Sequence, residues 1–116
     1  MKTIENRQAA RFDIDVAAEI YTSKEILSAV AANLSSSGVR LELSQALEEG
    51  KTLGVSLFLT SDGIEDPDAE PLNVKARIVW SAQSGENKFS AGASFVDMNE
   101  KSQKLLGSFL STLGLK

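Results

Sequence analysis

The chain of 116 residues contains no cysteine and no histidine. Without cysteine there is no disulfide framework, no thiolate metal ligand and no thiol nucleophile, which suits a reducing compartment and makes the cytoplasm the expected location. Without histidine, the commonest general base near neutral pH is also missing. Neither a Walker-type GxxxxGK[ST] loop nor a GxGxxG loop is present, and the carboxylates cluster in loops and turns, so no enzyme is expected. Aromatic residues are few: one Trp, one Tyr and five Phe. That supply is thin for a single-stranded nucleic-acid barrel, which stacks bases on several exposed rings along a basic groove. No apolar run is long enough to cross a bilayer, and the first residues have no signal-peptide core, so a soluble protein without direct membrane insertion is expected.

Charge points the same way. Twelve Lys and Arg against sixteen Asp and Glu leave a net charge of −4. A nucleic-acid backbone or an anionic membrane would be repelled, which leaves small ligands and protein partners. A chain of this length buries one core, so one domain is expected.

Apolar alternation organises most of the sequence. Phe12, Ile14, Val16, Ala18 and Ile20 share one parity while Asp13, Asp15 and Glu19 hold the other, the pattern of a half-buried strand. Ile26 to Leu34 reads as a second strand, Val39 to Leu43 as a third and Leu53 to Leu59 as a fourth. Leu72 to Trp80 and Phe89 to Phe95 read as a fifth and sixth, joined by the connection Ser81 to Asn87. Thr60 to Pro71 is an acidic loop. Its Asp66, Asp68 and Glu70 alternate as in a calcium loop, but Pro71 and Arg77 occupy the positions where such a loop needs Gly and Glu, so no metal site is expected.

Beyond Phe95 the period changes. Leu105, Leu106, Phe109, Leu110 and Leu113 fall on one helical face, with Asp97 and Glu100 spaced as a capping box, which predicts a helix over about 98–113. Residues 1–11 show neither period and are expected to form a flexible arm ahead of a domain over 12–116. Six one-sided strands with mostly short connections predict an all-β fold, a six-stranded antiparallel barrel with one C-terminal helix.

Two short patterns carry possible chemistry. Arg7 and Arg11 stand four apart before the first strand, and Asn33-Leu34-Ser35-Ser36-Ser37-Gly38 makes the turn into the third. Taken singly, the arginines read as solvated surface charge on a flexible arm. The turn reads as ordinary Ser-rich turn chemistry, with Gly38 supplying a positive φ. The functional alternative is that guanidinium groups grip phosphate and the O6 and N7 of guanine, while an Asn meets a base edge, a Ser hydroxyl donates to phosphate, and a glycine admits a bulky ligand.

Together the two patterns resemble the signature of the PilZ domain family, RxxxR in an N-terminal arm followed by [D/N]xSxxG. The late strand ending Val79-Trp80, the Gly92 to Phe95 GxxF strand and the terminal helix extend the resemblance over nearly the whole chain. It implies a six-stranded barrel that binds cyclic di-GMP on its outer surface through Arg7, Arg11, Asn33, Ser35 and Gly38, with no cofactor. Arg40, on the parity of Gly38, is expected to point outward beside that site, as a phosphate contact or a plain surface charge. Trp80 has the parity of its strand's apolar residues and is expected to pack in the barrel, with stacking on guanine left open by its place at a strand end. The function implied is a receptor that changes its surface on binding ligand and so regulates a protein partner. The alternative is a constitutive protein-interaction module of the same fold.

Overall fold

The computed structural model describes residues 12–59 and 71–114. The expected arm with Arg7 and Arg11, and the acidic loop with Asp66, Asp68 and Glu70, lie outside these residues. Six strands and one helix follow in order: β1 Phe12–Tyr21, β2 Ile26–Leu34, β3 Gly38–Leu43, β4 Thr52–Leu57, β5 Leu72–Gly85, β6 Lys88–Val96 and α1 Glu100–Gly114. The strands close into a barrel in the order β1-β2-β3-β6-β5-β4, with every neighbouring pair antiparallel. Closure leaves no sheet edge to pair with another chain.

The alternating residues fill the interior. Ile20, Leu34, Leu41, Leu57 and Leu72 are fully buried, and each such side chain removed from water stabilises the fold by about 1.5–3 kcal/mol. The loop between β3 and β4 closes one end of the barrel. Its Leu47 is buried, the Leu47 amide donates to Ser81 Oγ at 3.3 Å, and the Gly50 amide donates to the Ile78 carbonyl at 2.7 Å.

At the other end α1 packs Leu106 and Phe109 into the core, with Leu105 and Leu110 beside them. The Ser102 hydroxyl donates to the Asn73 carbonyl at 3.2 Å and so ties the first turn of the helix to β5. The helix cap differs from the expected capping box. Asn99 Oδ1 accepts from the Ser102 amide at 2.8 Å, whereas Asp97 stands outside the helix at φ 50°. An Asn side chain at this position satisfies one of the amides left unpaired at a helix start, which fixes the boundary at Glu100.

The β5–β6 connection is also shorter than expected. Ser81, Ala82 and Gln83 continue the ladder opposite Ala91, Ser90 and Phe89, leaving only Glu86 and Asn87 between the paired Gly85 and Lys88. Asn87 takes φ 56°, a left-handed conformation that Asn tolerates better than most residues.

Candidate functional site

The turn Ser35–Gly38 is built around one hydroxyl. Ser35 is buried, and its Oγ accepts from the Ser37 and Gly38 amides, both at 3.2 Å. The Ser35 amide in turn donates to the Gly38 carbonyl at 2.9 Å. The Ser35 hydroxyl lies 3.2 Å from Ser37 Oγ and 3.5 Å from the Gly38 carbonyl, so the group proposed for phosphate is engaged inside the turn.

Gly38 is required for a reason other than the expected positive φ. Among the described residues only Gly50 is a glycine with positive φ. A Cβ on Gly38 would collide with the Ala93 carbonyl oxygen of the adjacent strand and stand 3.5 Å from the Ala93 carbonyl carbon. Backbone crowding between β3 and β6 is therefore what excludes a side chain here.

Two bulges create the outer face beside this turn. In β2, Leu27, Ala29 and Ala31 point inward, and strict alternation would send Asn33 inward as well. Instead Ala31 pairs with Leu41 and Asn33 with Arg40, so Ala32 is an extra residue and Asn33 turns outward. In β5, Ile78 pairs with Ala93 and Trp80 with Gly92, which makes Val79 the extra residue. Trp80 is 41 % exposed and Val79 57 %. The expected packing of Trp80 inside the barrel is thus overturned, because the bulge reverses the parity on which it rested.

The consequence is one continuous row across five strands. Asp13 of β1 pairs with Asn33, Asn33 with Arg40, Arg40 with Gly92, and Gly92 with Trp80. Asn33 Nδ2 donates to Asp13 Oδ1 at 3.2 Å. Arg40 points outward as expected, with its side chain 44 % exposed and a guanidinium nitrogen 3.5 Å from Glu42 Oε2. An exposed pair of this kind contributes at most about 1 kcal/mol, so it does not commit the guanidinium.

Of the residues singled out from sequence, the structure brings Asn33, Arg40 and Trp80 into this row and sets Ser35 and Gly38 in the adjoining turn. Arg7 and Arg11 lie outside the described residues, but Arg11 immediately precedes Phe12, which pairs with Leu34 beside Ser35. Two members of the row were missed from sequence. Gly92 carried a usable signal, since a glycine inside a strand marks close approach by another group. Asp13 had no signal beyond its polar parity.

The turn also touches the helix end of the barrel, where Ser36 and Ser37 line a hollow with Phe95, Met98 and Leu106. Among the described residues no group of three or more Asp and Glu is placed to hold a metal ion, and no helix is long and apolar enough to cross a membrane.

Known proteins share this architecture. The structure of the Bacillus subtilis inhibitor of motility (MotI/DgrA) superposes with a TM-score of 0.78 at 16% identity, covering 97% of this chain and 52% of that one. The chain thus spans about half the length of that relative. The PilZ domain of YcgR from Escherichia coli, solved with c-di-GMP, gives 0.74 at 13% identity, over 95% of this chain and 92% of that one. The MrkH–c-di-GMP complex of K. pneumonia gives 0.76 at 14% identity, over 97% and 54%. No curated protein sequence matches. At these identities the structural likeness establishes the fold, and the sequence establishes kinship: a family model described as the PilZ domain matches residues 5–112. With that match over almost the full length, the chain belongs to the PilZ domain family.

Proposed function

We propose that this chain is a receptor for cyclic di-GMP, held on the outer face of the barrel between the row Asn33, Arg40, Gly92, Trp80 and the Ser35–Gly38 turn. The observation that carries this is the pair of bulges. Each turns outward a side chain able to meet a nucleobase, Asn33 next to the Ser35–Gly38 turn and Trp80 in the same row across β6 from Arg40. Structural neighbours solved with c-di-GMP support the choice of ligand.

In this arrangement Arg7 and Arg11 grip guanine and phosphate, as charge-assisted bidentate donors do. Asn33 meets a base edge, Arg40 adds a peripheral phosphate or base contact, and the exposed indole of Trp80 offers a stacking surface. Ser35 and Gly38 act chiefly through the turn. A direct phosphate bond from Ser35 requires its hydroxyl proton to leave the long contacts to Ser37 and the Gly38 carbonyl. No bond is made or broken in the ligand. Closing Arg7 and Arg11 over it changes the surface that a protein partner meets, with the helix end reached through Ser36 and Ser37.

The constitutive interaction module finds its support in Ile26 and Val79, which are exposed apolar residues outside the proposed site. Titration calorimetry with cyclic di-GMP, cyclic di-AMP and GTP separates the two. Saturable binding of cyclic di-GMP alone supports the receptor, and binding of none of the three supports the module.

A further inference from the structure

Asn33 has one acceptor oxygen on its side chain, whereas the Watson–Crick edge of guanine presents two adjacent donors, N1–H and the 2-amino group. A carboxylate, with two acceptor oxygens, matches that edge. The structure supplies one from a different strand. Asp13 is the cross-strand partner of Asn33, is exposed, and accepts the Asn33 amide hydrogen at Oδ1 at 3.2 Å. That bond turns the Asn33 amide nitrogen toward Asp13 and joins the two side chains at the end of the row that continues to Arg40.

We infer that Asp13 is the residue that selects guanine, its carboxylate accepting from N1–H and the 2-amino group while arginine donors read O6 and N7. This rests on the cyclic di-GMP reading above. Adenine presents an acceptor at N1 and carries no 2-amino group, so it sets a lone pair against the carboxylate. Specificity then comes from repulsion of the wrong base as well as attraction of the right one.

The opposing possibility is that Asp13 is plain surface charge, and the two differ in sign. A carboxylate that makes no directed contact only repels a dianionic ligand, so removing its charge tightens binding. A carboxylate that reads guanine loses its bidentate contact when it is neutralised, and binding weakens.

Asp13→Asn separates the two, because the new amide keeps an oxygen that accepts from Asn33. Binding of cyclic di-GMP and of its inosine analogue, which lacks the 2-amino group, is measured by calorimetry for the wild type and for Asp13→Asn. The wild type should prefer cyclic di-GMP by about tenfold or more, and Asp13→Asn should bind it about tenfold to a hundredfold more weakly with that preference largely erased. Unchanged or tighter cyclic di-GMP binding by Asp13→Asn overturns the assignment, as does an unchanged preference. Should Asp13→Asn fail to fold by circular dichroism, the wild-type ratio decides alone, and a ratio near one overturns the role. A wild type that binds no cyclic di-GMP removes the receptor reading and this role with it, a result distinct from failure of the variant alone.

Discussion

The indole of Trp80 lies across Gly92: a Cβ on that glycine would stand 2.6 Å from Cε2 and 2.8 Å from Cδ1 of the ring. The contact exists because the β5 bulge at Val79 brings Trp80 opposite Gly92 on the outside of the barrel, and because Gly92 has no side chain to prevent it. A flat aromatic surface is thereby held at the far end of the row that begins at Asp13.

Gly92→Ala should lift the indole from this seat. Inserting a methyl group into a filled contact costs about 1–3 kcal/mol, here divided between stability and displacement of the ring. Trp80 is the only tryptophan of the chain, so its emission reports the site without labelling. A changed emission maximum in Gly92→Ala, together with a wild-type signal that responds to cyclic di-GMP, is expected. Emission indifferent to saturating ligand would remove Trp80 from the site.

Ser35→Ala should destabilise the domain more than it weakens ligand binding. The hydroxyl satisfies two backbone amides in a buried turn, and leaving such groups unpaired costs about 1–3 kcal/mol. Urea denaturation followed by circular dichroism measures the loss of stability, and calorimetry on the folded variant measures affinity. A drop in affinity exceeding that of either arginine variant, at unchanged stability, would show that the hydroxyl contacts the ligand itself.

Arg7→Ala and Arg11→Ala should each weaken cyclic di-GMP binding by about tenfold to a hundredfold, the value of a bidentate guanine contact worth about 1–3 kcal/mol. Both positions precede the first strand, so the thermal midpoint of the free protein should not change. Equal affinity in the wild type and both variants would mean that the RxxxR segment takes no part in binding.

Most strands and much of the core were legible because alternation is a direct image of a half-buried strand, whereas the order β1-β2-β3-β6-β5-β4 in the barrel was not. Phe12 to Ile20 and Leu72 to Ile78 bury the parity that the sequence marks, whereas β2 carries apolar residues on both parities and leaves Ile26 and Val30 exposed. The pattern fails at the extra residues Ala32 and Val79. A bulge inserts one residue without changing composition, so nothing in Ala31-Ala32-Asn33 or Ile78-Val79-Trp80 announces that parity reverses there. The motif turn was visible in its Ser and Gly content, yet the reason for Gly38 was not. Collision with the Ala93 carbonyl depends on the pairing of β3 with β6, two strands far apart in sequence. Asp13 was hidden for the same reason, since its tie to Asn33 spans twenty residues of chain.

Calorimetric titration of the wild-type protein with cyclic di-GMP, beside cyclic di-AMP and the Arg7→Ala/Arg11→Ala double variant, tests the receptor role at its root. Saturable binding of cyclic di-GMP is expected, with cyclic di-AMP bound at least about tenfold more weakly and the double variant showing little or no heat at the same concentrations. No detectable binding of cyclic di-GMP by the folded wild type, or equal binding of both dinucleotides unaffected by loss of the arginines, would contradict it.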